Sequence, residues 1–417
     1  MIKYGSHKSI IGGTSHPSAR LGYGFALLPF VVGSDLYIVA PLLSQIRATF
    51  SVTLAAAGLL VTVFTAGYTL ASPIIGGLTD RLGRRAVLYT GILLFIVFEA
   101  VTAWAPNFTV LLAGRPLSGL AAAAISPAAY TIIGDAVPYS EREHVMSIAS
   151  VGFSVSAIAG VPLGLWLSGY WSWRGVFWVL TAATIAAACV LTLALEVRPA
   201  AVQVAQPQPQ RLDLSLAAIR SILATTRSVL AVSFLAFAAV GLVYTFLAIE
   251  LTSVWHWSNK MLLSFLCLYG IANVAGNLVL GRLDDLWGKD RAVRIGQTVE
   301  FIALLGITGA LLWHWAWVLA LALALFAFGQ AYIPDLKAMA SEVEIEQRGR
   351  SQAWNNAAMY GGMMTGSWAA SYGYQVIGFS GLSIAAAAVV ALGWSVTEAT
   401  ARERRSRHLR RRRNGSD

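Results

Sequence analysis

Twelve long apolar runs dominate this chain: near 22–43, 53–78, 86–105, 108–134, 145–169 and 175–195, then near 228–252, 261–281, 292–312, 315–336, 351–373 and 376–398. Each is long enough to cross about 30 Å of hydrocarbon as a helix. In lipid the backbone must satisfy its own hydrogen bonds, so only helices or a closed barrel can span. The runs show no alternation of polar and apolar residues, which selects helices. Charged residues are 12% of the chain and hydrophobic ones 57%, too small a charged shell for a water-soluble fold. The expectation is an all-α integral membrane protein of twelve transmembrane helices.

The net charge of +10 invites a nucleic-acid reading, but the positions of the basic residues exclude it. Eight arginines crowd into Arg402–Arg413, and most of the others punctuate the gaps between runs. With an even number of spans and both termini inside, the inner side holds Lys3, Lys8, Arg20, Arg81, Arg84, Arg85, Arg142, Arg198, Arg211, Arg220, Arg227, Arg282, Lys289, Arg291, Arg294, Lys337, Arg348, Arg350 and the tail. The outer side holds Arg47, Arg174 and Lys260. That bias places both ends in the cytoplasm of a bacterial inner membrane, against anionic lipid. The outer gaps are aromatic instead, with Trp104, Tyr170, Trp171, Trp173, Trp255, Trp257, Trp313, Trp315 and Trp317, as suits the headgroup level. The first run is too long for a cleaved signal core and many others follow it.

Residues 1–21 therefore read as a cytoplasmic tail, 22–197 as a first six-helix bundle, 198–227 as a linker, 228–400 as a second bundle and 401–417 as a basic cytoplasmic tail. The linker contains Gln206-Pro207-Gln208-Pro209-Gln210, a flexible composition. Leu212, Leu216, Ile219 and Leu223 then recur at helical spacing, which predicts a short helix on the membrane surface or, failing that, an unstructured loop. The cysteines, Cys189 and Cys267, both lie inside apolar runs, so neither a disulfide framework nor a metal site is expected. No phosphate loop, zinc spacing or nucleophile motif appears, so no cofactor and no enzyme activity are expected.

One loop occurs twice. Gly76-Gly-Leu-Thr-Asp80-Arg81-Leu-Gly83-Arg84-Arg85 follows the second run, and Gly281-Arg-Leu-Asp-Asp285-Leu-Trp-Gly288-Lys289 follows the eighth. Both read Gly-x3-Asp-x2-Gly-basic at equivalent places, which implies a duplicated bundle with a path at the interface of the copies. The glycines permit a tight turn and close helix approach. Asp80 suits a helix N-terminus, where negative charge is favoured by about 0.3–1 kcal/mol.

This loop resembles the cytoplasmic signature of the major facilitator superfamily, and the resemblance covers nearly the whole chain. It implies two pseudo-symmetric six-helix bundles, with Asp80, Arg81 and Arg84 locking the halves together in the outward-facing state; topological positive charge alone is the plainer reading. Leu112-Ala-Gly-Arg115-Pro-Leu-Ser-Gly119 resembles the family's fourth-helix motif, and Gly152 to Gly164, ending Gly160-Val161-Pro162-Leu163-Gly164, its antiporter motif in the fifth. Gly33-Ser-Asp35-Leu-Tyr-Ile-Val-Ala-Pro41 and Trp173-Arg174 with Phe177 are similar to the drug:proton antiporter branch, with its arabinose-efflux and chloramphenicol-resistance permeases. The usual antiporter motif has Gly and Pro adjacent; here Val161 intervenes. The Tyr139–His144 loop departs from that branch's more basic stretch.

Asp35 lies midway along the first run, where a charged carboxylate is costly, and an acid able to neutralise there suits a proton carrier. A structural hydrogen-bonding role is the alternative. Arg115, inside the fourth run, needs a partner or a wet cavity; it holds Asp35, binds an acidic substrate group, or locks helices together. Gly152, Gly160 and Gly164 share one helix face and favour close packing, with Pro162 bending the helix; the resemblance adds a seal against leakage. Phe25, Phe30, Tyr37, Phe64, Tyr68, Tyr130 and Tyr244 are possible cavity aromatics, set against simple packing. Asn355 and Asn356 either line the cavity or bond between helices. Glu99 and Glu250 fall near outer ends and either simply reach water or serve transport; Glu300 either forms a plain ion pair with nearby Arg291 or Arg294 or takes part in transport chemistry. Asp335 and Lys337 read as gate or loop charges. The resemblance implies a monomeric proton-coupled exporter of a small molecule, a drug, sugar or related metabolite. A proton-coupled importer or uniporter, or a non-transporting membrane sensor on the same fold, stands as the alternative.

Overall fold

The structure, a computed structural model, describes residues 17–136, 145–146, 148, 152–153, 155–196, 216–342 and 348–414. Among them there is no strand, and helices account for nearly every residue. In chain order they are α1 (Pro17–Phe50), α2 (Leu54–Leu82), α3 (Arg84–Trp104), α4 (Phe108–Ala136), a π turn (Ser156–Gly160), and α5 (Val161–Glu196). There follow α6 (Leu216–Ile249), a π turn (Glu250–Val254), α7 (Asn259–Trp287), α8 (Lys289–Trp313), α9 (Ala316–Gly329), a 3-10 turn (Gln330–Tyr332), α10 (Ile333–Ala340) and α11 (Arg348–Asn414).

Ten helical runs among the described residues are long and apolar enough to cross a membrane. Two of them are broken. α5 leaves helical geometry at Trp171 and Ser172, and α11 does so at Gly378. The first break falls between the fifth and sixth apolar runs read from the sequence and the second just inside the start of the twelfth, so each separates two arms of one merged helix. The expected surface helix enters the structure at Leu216 as the start of α6, continuous with the seventh apolar run. Its N-terminal part, with Leu212 and Arg211, lies outside the described residues, as do Tyr139–His144.

The duplication is visible in the backbone. Ser51 and His256 both have φ 54°, Gly83 and Gly288 have φ 87° and 82°, and Ser172 and Gly378 have φ 61° and 65°. Thr53 caps α2 by accepting from Ala56 N at 3.2 Å, and Ser258 caps α7 by accepting from Met261 N at 3.3 Å. In each pair the second member is displaced along the chain by the same amount, to within one residue. The repeated loop makes the same turn in both copies, with Gly83 and Gly288 each ending one helix and opening the next. Positive φ of this kind favours glycine, the residue without a Cβ.

Packing follows small residues. A Cβ on Gly152 would lie 2.0 Å from Ala26 O, one on Gly160 2.0 Å from Ser34 Oγ, and one on Gly164 2.8 Å from Ile38. The three contacts keep one sequence offset, so the fifth apolar run lies parallel to α1 along this seam. Gly362 and Gly366 repeat it in the second half, where a Cβ would lie 2.0 Å from Phe234 O and 2.2 Å from Ala238 O. Pro162 lacks the N–H its turn would use, and the π turn Ser156–Gly160 ends two residues before it. The outside is apolar: Leu70, Ile74, Leu93, Leu312 and Val376 are exposed, Val376 to 83%. In water so much exposed apolar surface would be unfavourable, whereas acyl chains suit it. Trp104, Tyr170, Trp171, Trp313, Trp315 and Trp317 are exposed too, whereas Trp173, expected beside them, is buried and donates to Thr49 at 3.0 Å.

Candidate functional site

Asp35 and Arg115 meet in the first half. Arg115 Nη1 donates to Asp35 Oδ1 at 2.7 Å, with side chains 1% and 0% exposed. The same nitrogen lies 3.5 Å from Glu99 Oε1, whose side chain is also fully buried. The arginine stays there because its surroundings are shaped to it. α2 and α4 touch backbone to backbone, since a Cβ on Gly67 would lie 1.9 Å from Pro116 O and one on Gly119 2.0 Å from Phe64 O. That approach brings the Phe64 ring to 4.5 Å from Arg115 Cζ, and Phe177 on α5 stands at 5.7 Å. Two rings and two carboxylates thus surround one guanidinium, which stacks on aromatic faces as readily as it pairs with acids.

Glu99 is the residue the sequence reading misplaced. Its place near the outer end of α3 suggested access to water, yet it is buried among α1, α3 and α4. A signal was present: α3 ends at Trp104 and α4 begins at Phe108, so the short connection folds Glu99 back opposite Arg115. The hairpin's end is closed by Arg174, which donates to Ala105 O at 2.8 Å and covers the Trp173 ring at 4.4 Å.

The aromatic candidates divide. Tyr37 on α1 meets Tyr244 on α6 with centroids 5.4 Å apart, and Tyr244 meets Tyr269 at 6.0 Å. Tyr68 on α2 stacks on Tyr360 of α11 at 3.5 Å. Tyr37, Tyr68 and Tyr244 therefore lie where the two halves touch, with Tyr269 and Tyr360, which the sequence reading did not select. Thr62 and Ser367 hydrogen-bond across the same interface at 2.9 Å. Phe25 and Phe64 are buried in the first half, and the side chain of Tyr130 lies outside the described residues. Asn355 is fully buried and accepts from Ser233 Oγ at 2.7 Å, an interhelical bond; Asn356 is half-buried one position on.

In the repeated loop, Gly76, Asp80 and Arg81 fall within the last turns of α2, but their side chains lie outside the described residues. Arg84 begins α3 and Arg85 is exposed. Gly281 has open space about it, Asp285 is exposed, and Lys289 pairs with Glu342 at 2.6 Å. Two further acids are corrected. Glu300 does not pair with Arg291 or Arg294: it is fully buried and accepts from Tyr332 at 2.9 Å, while Arg294 pairs with Glu398. Glu250 is buried and accepts from Tyr374 at 2.8 Å. Asp335 is largely buried, and Lys337 stands 5.5 Å from the Phe153 ring across the interface. Among the described residues no group of His, Cys, Asp and Glu is placed to hold a metal.

A duplicated bundle of long apolar helices, with a buried acid–guanidinium centre in one half and tyrosines between the halves, defines a polytopic membrane protein of the secondary-transporter class. The chain belongs to the Major Facilitator Superfamily, whose model matches residues 25–334 and 229–415. It resembles the drug-efflux-like branch. It is 28% identical over 375 residues to the uncharacterized MFS-type transporter YwfA of Bacillus subtilis, covering 88% of each chain. It is 29% identical over 265 residues to a chloramphenicol resistance protein of Streptomyces lividans, covering 63% of this chain and 66% of that one. Among solved structures, a D-xylose–proton symporter superposes with TM-score 0.70 at 18% identity over 91% of this chain and 96% of that one. A bacterial homolog of the human lysosomal transporter Spinster, inward-facing and occupied, gives 0.69 at 19% over 94% and 98%. These two likenesses concern the fold.

Proposed function

We propose that this protein exports a small molecule in exchange for protons by alternating access, as a monomer in a bacterial inner membrane. Taking the arms on either side of the breaks in α5 and α11 as separate crossings gives twelve; an even number leaves both termini on one side, and the concentration of basic residues supports the cytoplasmic one. The observation that carries the reading is the Asp35–Arg115 pair, fully buried at 2.7 Å. Protonation of Asp35 from outside removes its charge and releases the guanidinium, a change that neither residue alone would couple to the helices. The two halves then rock about their interface, and substrate leaves past Tyr37, Tyr68 and Tyr244 with Asn356 nearby. The glycine seam along α1 joins the pair to this motion, because Ser34 under Gly160 is Asp35's neighbour. The repeated cytoplasmic loops hold the halves together when the outer side is open.

The resemblance to a chloramphenicol resistance protein makes chloramphenicol the first probe, followed by a drug and metabolite panel with a deletion strain. Everted vesicles carrying the protein should accumulate a panel substrate when a proton gradient is imposed, and Asp35→Asn should abolish that accumulation while membrane levels stay normal. Unaltered, pH-dependent accumulation in Asp35→Asn would refute the assignment. A fluorescent protein fused after Asp417 should fold and fluoresce if the C-terminus is cytoplasmic.

A further inference from the structure

Glu99 is left over when Asp35 and Arg115 are paired. Its carboxylate addresses Arg115 Nη1, the same nitrogen that already serves Asp35. Counting from each packed element, α1 brings Asp35, α3 brings Glu99, and α4 brings Arg115 with the Ser118 hydroxyl beside Glu99. α2 and α5 bring the Phe64 and Phe177 rings. The cation nearest along α5, Arg174, is committed to Ala105 O. With both carboxylates ionised, the centre would hold one uncompensated negative charge inside a helical bundle, an unfavourable state in hydrocarbon. Asp35 Oδ2 and Glu99 Oε2 are moreover buried without a donor among the described residues. A single added proton answers both difficulties, since it cancels the excess charge and turns one acceptor oxygen into a donor. Two acids placed this close against one cation titrate as a unit.

We infer that Asp35 and Glu99 form one proton site with Arg115, holding a single shared proton at rest, so that the coupling proton belongs to the carboxyl pair and not to Asp35 alone. This rests on the exporter reading for its use, but the site itself is testable without transport. A second proton leaves Arg115 with no anionic partner, and loss of the first leaves the centre negative; the neutral one-proton form lies between.

The test is infrared spectroscopy of the purified, lipid-reconstituted protein at neutral pH, reading the carbonyl stretch of protonated carboxyl groups. Any other protonated carboxyl groups contribute a background common to all variants. Glu99→Gln and Asp35→Asn should each lose one carboxyl equivalent from the wild-type band, because each leaves a neutral ion pair with Arg115 that needs no proton. Glu99→Asp should keep the band, and gel filtration confirms that each variant is folded. A band unchanged in Glu99→Gln, or lost in only one of the two single variants, overturns the shared site. Persistence of pH-driven export in Asp35→Asn would instead overturn the transport reading and leave the spectroscopic result standing.

Discussion

Arg115 illustrates how one residue sets the energetics of its neighbourhood. Its guanidinium stands between Asp35 and Glu99 and against Phe64. Breaking a buried pair is worse than never having built it, because the surviving charges stay in a medium that cannot solvate them. Arg115→Ala should therefore destabilise the folded protein by about 3–5 kcal/mol, read as earlier thermal aggregation in detergent. Adding Asp35→Asn and Glu99→Gln to that variant should recover much of the loss, since the orphaned negative charge of the carboxyl pair goes with it. If the triple variant is no more stable than Arg115→Ala, electrostatics is not the source. Asp35 and Arg115 were legible from the sequence because a charged residue inside an apolar run stands out. Glu99 stood out equally, but its partner depends on a turn the runs alone do not orient.

At the scale of elements, glycine seams decide which helices touch. Gly152 lies against Ala26 O and Gly362 against Phe234 O, each leaving no room for a Cβ. Gly152→Val and Gly362→Val should both lower the yield of folded protein, and comparably, because the seams are copies of one arrangement; a mild effect at either would mean that seam yields. Gly83→Ala and Gly288→Ala place a side chain at φ 87° and 82°, where each should lose about 1–3 kcal/mol of stability through strain, with no steric clash since both sites open to space. A double variant should lose the sum, given the distance between independent turns. The first seam was readable as a run of spaced glycines. The second was not singled out, because Gly361, Gly362 and Gly366 show their purpose only once α11 lies on α6.

At the scale of the whole molecule, the interface between the halves has to open if the protein works by alternating access. Thr62 and Ser367 face each other there at 2.9 Å. In a variant lacking Cys189 and Cys267, Thr62→Cys with Ser367→Cys should form a disulfide that stops transport, and a reductant should restore it. Transport that continues with the bridge intact would exclude movement at that contact. Either single cysteine should leave transport sensitive to neither oxidant nor reductant.

The sequence by itself determined the solvent, the helical class, the duplication and the branch of the family. Those follow from run length, charge placement and repeated motifs, all of which are local or periodic along the chain. The tertiary structure alone decided partnership: Glu99 with Arg115, Glu300 with Tyr332 in place of an arginine, and Tyr269 and Tyr360 at the meeting of the halves. In hydrocarbon an apolar run can turn any face toward its neighbours without changing its hydropathy. Which face it turns is fixed by backbone contact and by the need of each buried polar group for a partner, and both exist only once the helices have packed.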